Sequence, residues 1–380
     1  MTRWITLIAA LAMLGVTTAA QAPAAGKTLD IYIADTEGGK AALFISPTGQ
    51  TVLVDTGNPG PRDGDRIVAM LADAGVTKLD YLIVTHYHVD HVGGLQELVK
   101  KIPVSHYVDH GPTLEAREQV AGFQAAYAEL FGAAKHTVVK PGDKLPVTGL
   151  DWRIVTSAGQ ALKTPLPGGG KVNPACKGVE KREDPPNPDD NNASVGSVIT
   201  YGQFRLIDLA DLLWNKENEL MCPNNPIGTV DIYMADNHGS TASNSPALIH
   251  GVRPRVAIVQ NGTRKGAAVP MMQVLETSPG LEDVWQLHWS YTAGIEHNPA
   301  GVFIANVDDA ATIAAVLATP PPAPGGGGGG GGGGRGAGGG GGGGNAAAHT
   351  PAYYIKVSAQ SDGTFTVTNT RNQFSKTYRK

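Results

Sequence analysis

Three imidazoles and a carboxylate fall within six residues at His86-Tyr87-His88-Val89-Asp90-His91, and this spacing narrows what the chain can fold into. With 11 His and 34 Asp+Glu among 380 residues, such a cluster arises by chance in about one chain in a thousand. Solvated surface histidines are therefore the weaker reading. Neutral imidazole and carboxylate are the usual ligands of zinc and similar divalent cations. His86 and His88 share one side of an extended segment, while Asp90 and His91 lie a turn further on and can face a second position. The preceding run, Leu79 to Thr85, is compact and apolar and reads as a buried strand. Its C-terminal end delivers the motif into a loop, and a helix is predicted from about Gly93.

Leu29 to Ile33, Ala41 to Ile45 and Thr51 to Asp55 read as strands separated by Gly38-Gly39 and Pro47-Thr48-Gly49. Ile67, Met70, Leu71 and Ala74 recur at helical spacing before Gly75, and Phe123, Tyr127, Leu130 and Phe131 mark a second apolar helical face. Further strands are predicted over Val104 to Asp109, Trp152 to Thr156, Ser197 to Tyr201, Phe204 to Leu209, Val230 to Ala235, Arg255 to Val259, Val284 to His288 and Val302 to Ala305. Strands and helices mixed in this order suit an α/β fold of two sheets covered by helices.

The ends and one interior segment carry other signals. Arg3, an apolar run from Trp4 to Val16 broken only by Thr6, and Ala20-Gln21-Ala22 make residues 1–22 a secretory signal peptide. The run is shorter than the roughly 20 residues a membrane span needs, and no later segment is long and apolar enough. An exported chain, periplasmic or secreted, is expected. Export favours a disulfide between Cys176 and Cys222, two buried thiols being the alternative. Residues 27–310 then form the main domain. The Pro/Gly-rich stretch 311–350 reads as a flexible linker, and 351–380 as a C-terminal β-hairpin around Asp362-Gly363. Because an isolated hairpin is marginal in water, it should dock back on the main domain. Residues 160–192, rich in Pro, Gly and charge, form a loop long enough to be functional or disordered.

A dinuclear centre needs a bridging carboxylate and a further imidazole. Asp211 follows the strand ending at Leu209, with Asp208 as its rival, and His238 follows the strand ending at Ala235. Val54-Asp55-Thr56-Gly57, the segment Thr85 to Gly94, Asp211 and His238 together resemble the metallo-β-lactamase superfamily in motif type and order, over about residues 28 to 310. Ser197 to Arg205, Asn237-His238-Gly239-Ser240 and Ser243-Asn244-Ser245-Pro246 look like its ComEC-type competence nuclease branch.

The resemblance implies a four-layer αββα sandwich with metals at one edge. It makes His86 and His88 ligands of a first cation, Asp90, His91 and His238 ligands of a second, Asp211 a bridge, and Asp55 a group that orients the motif loop. One departure stands out. The superfamily usually supplies a third histidine to the first cation from a segment that here reads Asp189-Asp190-Asn191-Asn192-Ala193-Ser194. Asn192, Ser194 or His110 is left as the extra ligand, although His110 also reads as a plain loop residue before Gly111-Pro112.

One or two zinc ions are implied, with iron or manganese as alternatives. Zinc lowers the pKa of water from 15.7 to about 7, so the expected chemistry is hydrolysis by zinc-bound hydroxide, with Asp90 or Asp211 holding the water. Kinship with a nuclease domain favours a phosphodiester or related ester. A lactone or β-lactam, a mononuclear iron oxygenase and a non-catalytic metal-binding module are the competing readings. The formal charge of −4 gives no global attraction for nucleic acid; Arg253, Arg255, Arg264 and Lys265 are candidates for a local anionic-substrate groove. No G-x-S-x-G elbow, P-loop or dinucleotide fingerprint is present.

Overall fold

The computed structural model describes residues 27–131, 134–307 and 352–380. The expected signal peptide and the linker at 311–350 lie outside them.

Among the described residues, two nine-stranded sheets pack face to face. Across the first run Ser375–Tyr378, Phe365–Asn369, Ile355–Ala359, Leu29–Ile33, Ala42–Ile45, Thr51–Val54, Tyr81–Ile83, His106–Asp109 and Lys135–Val138, the last four parallel. Across the second run Ile304–Asn306, Asp283–His288, Val256–Val259, Ile232–Met234 and Phe204–Asp208, all parallel. Antiparallel Gly196–Tyr201, Asp151–Ser157 and Lys144–Leu145 complete it, with Gln160–Ala161 beside Asp151–Ser157.

The layers follow from the alternation of side chains along each strand. Ile31, Phe44, Val52 and Val54 from the first sheet meet Trp152, Ile199, Leu206, Ile232 and Ile258 from the second in one buried core. Their neighbours point the other way: Leu43 and Leu53 pack with Ile67, Met70 and Leu71 of the helix Pro61–Asp73. Ile207, Tyr233 and Val259 pack with Leu248, Ile249 and Met272 of the helices Pro246–Val252 and Val269–Glu276. The result is the αββα sandwich.

Several details differ from expectation. The C-terminal unit has three strands, because Ser375–Tyr378 pairs with Phe365–Asn369, and Ile355–Ala359 pairs antiparallel with Leu29–Ile33. Helix begins inside the motif, at Val89–Val92, and resumes at Leu95–Val99. The edge strand Lys135–Val138 carries no apolar pattern because its residues are exposed. Residues 160–192 agree with expectation in one respect, the Cys176–Cys222 disulfide, which pins them to the body; beyond it, Lys171–Val172 pairs with Asn224–Asn225, and Trp214 Nε1 donates to Glu180 O at 2.9 Å.

Candidate metal centre

Parallel strands place their carboxyl ends along one edge of each sheet, the usual location of a binding crevice. Asp55 follows Thr51–Val54, His86 follows Tyr81–Ile83, His110 follows His106–Asp109, Asp211 follows Phe204–Asp208, and His238 follows Ile232–Met234. The Asp55-Thr56-Gly57 turn grips the motif: Thr56 N and Oγ1 donate to His91 O at 2.7 and 3.0 Å. A Cβ on Gly94 would lie 2.1 Å from Thr56 O, so only glycine permits this approach.

Asp90, His91, Asp211 and His238 converge, with one ligand atom from each lying within 4.8 Å of the others. His91 Nε2 is 3.3 Å from His238 Nε2 and 3.2 Å from Asp211 Oδ1, and His238 Nε2 is 3.0 Å from Asp90 Oδ2. The far side of each ring is committed to an acceptor. A carboxylate or carbonyl can only accept, so His91 Nδ1–H donates to Asp55 Oδ2 at 2.7 Å and His238 Nδ1–H to Gln260 O at 3.1 Å. Both Nε2 atoms are thereby directed at the two carboxylates, an arrangement that fits a divalent cation once His91 has given up its Nε2 proton. Thr85 completes the support, donating N–H and Oγ1–H to Asp55 at 2.8 and 2.7 Å.

The backbone around His238 is strained to reach this position. Asn237 and His238 both have positive φ, at 47° and 55°, each costing on the order of 1 kcal/mol or more. Hydrogen bonds from Asn237 N to Ala210 O at 2.8 Å and from Ala267 N to His238 O at 2.9 Å hold the turn.

His86 and His88 lie beside this cluster, outside the four-residue set, their rings 4.7 Å apart. The single Thr85 hydroxyl proton goes to Asp55, so its oxygen accepts from His86 Nδ1–H at 3.2 Å. His86 Nε2 is buried with no hydrogen-bond partner. His88 Nε2 lies 2.8 Å from Glu115 Oε2.

The segment expected to carry the extra ligand does something else as well. Asp190 accepts from Tyr87 N, Thr113 Oγ1 and Leu114 N at 2.8, 2.7 and 2.9 Å, tying the motif to the loop before Glu118–Ala128. Asn192 Oδ1 and Ser194 Oγ are buried without partners. His110 is buried against the Tyr87 ring at 4.8 Å, with Nε2 3.4 Å from Asp190. Asp208 lies outside the four-residue set, its Oδ1 accepting from the buried Lys40 Nζ and from Ala210 N, which leaves Asp211 as the carboxylate beside the two histidines.

The field in the cluster is strongly negative. Burial opposes charge on His91, yet Asp211, Asp55 and Asp90 push its imidazole up to about 10. Burial likewise disfavours charge on Asp90 and Asp211, but Lys265 with His91 and His238 in the first case, and His238 with His91 in the second, hold both carboxyls well below their usual range. His86 goes the opposite way: burial, then the neighbouring His91 and His88, lower it well below the usual imidazole value. Of the four basic candidates, only Lys265 reaches the cluster, where its ammonium contacts Asp90 Oδ2. Arg255 pairs with Glu282, and Arg264 lies over the Tyr291 ring. Glu115 and Gln260 carried no signal in the sequence, because their roles arise only from which ring nitrogen they face.

An αββα sandwich with imidazoles and carboxylates gathered at its strand ends defines a metal-binding class of protein. Residues 35–244 match the metallo-beta-lactamase superfamily, and the chain belongs to it. It is 24% identical over 121 residues to hydroxyacylglutathione hydrolase of Idiomarina loihiensis, covering 32% of this chain and 38% of that protein. It is 27% identical over 213 residues to ComE operon protein 3 of Bacillus subtilis, covering 55% of this chain and 23% of that protein. The chain thus spans well under half the length of these curated relatives. Among solved structures, Zn2+-bound PqqB from Methylobacterium extorquens superimposes with a TM-score of 0.36 at 13% identity, over 62% of this chain and 89% of that one.

Proposed function

We propose that this protein is an exported, metal-dependent hydrolase of anionic esters, with phosphodiesters as the favoured class. The observation that carries this reading is the convergence of Asp90, His91, Asp211 and His238 with each histidine's far nitrogen already bound to an acceptor. Asp90, His91 and His238 would hold one cation, His86 and His88 the other, with Asp211 between them; zinc suits the donors, and manganese or iron are alternatives. A cation there supplies Lewis acidity and brings the ionisation of water into the neutral range.

The remaining work falls to the chain itself. Asp90 and Asp211, held ionised, can orient a water through their free lone pairs. Asp55 and Gln260 keep two imidazoles in one tautomer, so no reorganisation is needed when substrate arrives. Lys265, exposed beside Asp90, is placed to meet a substrate anion. This favours a phosphodiester over a neutral lactone, as does the resemblance of Ser197 to Arg205 and Asn237 to Ser240 to a competence nuclease branch. The Cys176–Cys222 disulfide suits an oxidising compartment, consistent with export.

The test is hydrolysis of bis(p-nitrophenyl) phosphate, a lactone and nitrocefin by zinc- and manganese-loaded protein, with Asp211→Ala and His88→Ala as controls. Preferential turnover of the phosphodiester, lost in both variants, is expected. Equal rates in wild type and variants would refute the site, and a preference for the lactone or nitrocefin would refute the substrate class.

A further inference from the structure

We infer that residues 177–189 form a strap along the rim of the metal centre, which limits its substrate to a small phosphodiester on the scale of a dinucleotide and excludes the interior of a polynucleotide. The inference rests on the phosphodiester reading above and narrows it. The strap leaves the helical layer of the second sheet at the Cys176–Cys222 disulfide. Glu180 O then accepts from Trp214 Nε1 at 2.9 Å and from Asn218 Nδ2 at 3.0 Å. The Arg182 guanidinium lies over the Trp214 ring, 3.9 Å from its centroid, and Arg182 Nη1 donates to Thr241 O at 2.6 Å. Trp214 and Thr241 each stand three residues after a member of the cluster, Asp211 and His238. At the far end Asp189 lies 3.9 Å from His88 Nε2, and Asp190 is bonded to Tyr87 N. Residues 183–188, with Pro185, Pro186 and Pro188 among them, therefore join the turns that follow Asp211 and His238 to the motif that carries His88. Proline fixes φ, so this connection is stiff.

On the Asp90 side the wall is the turn from Gly262 to Lys265. Gly262 N donates to Lys265 O at 2.9 Å, and a Cβ on Gly262 would lie 2.8 Å from Glu37 O, so the turn is seated directly on the Glu37-Gly38 loop. Between these walls His86, His91, Asp211 and His238 are buried, and only the side chains of Asp90 and His88 reach 14% and 15% exposure. The way in lies at those two residues, where Lys265 contacts Asp90 and Arg117 Nη2 is 3.1 Å from His88 Nε2. The interior of a polynucleotide brings chain on both sides of the scissile phosphate, and the rim would have to part to admit it. Charge argues the same way. A polyanion is held by a track of Lys and Arg that neutralises several phosphates. The strap instead carries Lys177, Lys181 and Arg182 against Glu180, Glu183, Asp184 and Asp189, three basic groups to four acidic. Lys265 and Arg117, the two cations at the mouth, match one small phosphodiester better than a chain.

The experiment compares hydrolysis of bis(p-nitrophenyl) phosphate and of the dinucleotide thymidylyl-thymidine with cleavage of circular single-stranded DNA, which has no chain end. The zinc-loaded full chain is used as wild type, as Arg182→Ala, and with Cys176 and Cys222 both replaced by serine. Wild type should hydrolyse the dinucleotide at least about 100-fold faster per phosphodiester than the circle, the scale of loss when a reacting group is held about 1 Å out of place. Arg182→Ala unties the strap from Thr241 and Trp214 and should narrow that ratio about tenfold by local loosening. Its rate on bis(p-nitrophenyl) phosphate, which also reports folding and metal loading, should stay within about twofold of wild type. The disulfide-free chain should narrow the ratio likewise. A wild type that cleaves the circle as readily as the dinucleotide overturns the inference, as does a ratio unchanged in both variants. Turnover of no phosphodiester by wild type overturns the phosphodiester reading itself, and the inference with it.

Discussion

Asp55→Asn removes the acceptor and the carboxylate charge that support His91 while keeping the side chain's shape. Asp55 has φ of 61°, in the left-handed region, which asparagine tolerates better than most residues, so the turn should survive. Its two oxygens divide three donors: Oδ1 takes Thr85 N at 2.8 Å, while Oδ2 takes Thr85 Oγ1 at 2.7 Å and His91 Nδ1 at 2.7 Å. The backbone N–H cannot turn away, so the amide oxygen must stay on Thr85 N and the NH2 falls against His91. Thr85 can rotate its hydroxyl to accept; His91 can accept only by moving its proton to Nε2, the atom that faces Asp211 and His238. One hydrogen bond to a charged group, worth about 1.5–3 kcal/mol, is lost, which agrees with the 10- to 100-fold effect typical of such partners. Competition with a chromophoric chelator should show one zinc weakened by that factor, with little change in circular dichroism. Wild-type affinity in the variant would refute the tautomer argument for the whole centre.

Three further outcomes follow from the same geometry. Lys265→Ala should raise KM for bis(p-nitrophenyl) phosphate about five- to tenfold, the equivalent of about 1–1.5 kcal/mol for a half-exposed charged contact, with kcat largely kept; an unchanged KM removes Lys265 from substrate binding. Replacing Cys176 and Cys222 by serine opens a loop of 46 residues, costing about 4 kcal/mol in the chain-entropy limit; an unaltered urea midpoint under non-reducing conditions would contradict this. With its pKa raised to about 10, His91 is protonated in the metal-free chain at pH 7.5. Its charge stabilises that form fully below about pH 6.5 and ceases to do so as pH rises through about 10. Zinc binding at pH 7.5 must displace the proton, so calorimetry in buffers of different ionisation enthalpy should find at least about one proton released per chain, ionisation of metal-bound water adding to it; none released means His91 is not a ligand.

Much of the sandwich was legible because its strands obey simple alternation: Leu29 to Ile33 and Phe204 to Leu206 carry the core on alternate residues. Lys135–Val138 escaped notice because an exposed edge strand has no such pattern. Asp211 and His238 were visible as polar residues following apolar runs, Asp55 only through the family resemblance, and the structure brings Asp211 and His238 together with Asp90 and His91. The supporting shell was not readable, since Glu115 looks like any loop carboxylate until the His88 ring is placed beside it. The long segment 160–192 was legible in part: the disulfide from Cys176 to Cys222 was expected from the two cysteines of an exported chain, whereas the Trp214 hydrogen bond to Glu180, which also holds it against the helix Trp214–Met221, had no sequence signal.

The central claim is that the convergence of imidazoles and carboxylates at the strand ends is a cation site. Anomalous diffraction at the zinc edge from zinc-loaded crystals tests it most directly. A peak bounded by Asp90, His91, Asp211 and His238 is predicted, with a second beside His86 and His88. The absence of any peak among Asp90, His91, Asp211 and His238 would contradict the account.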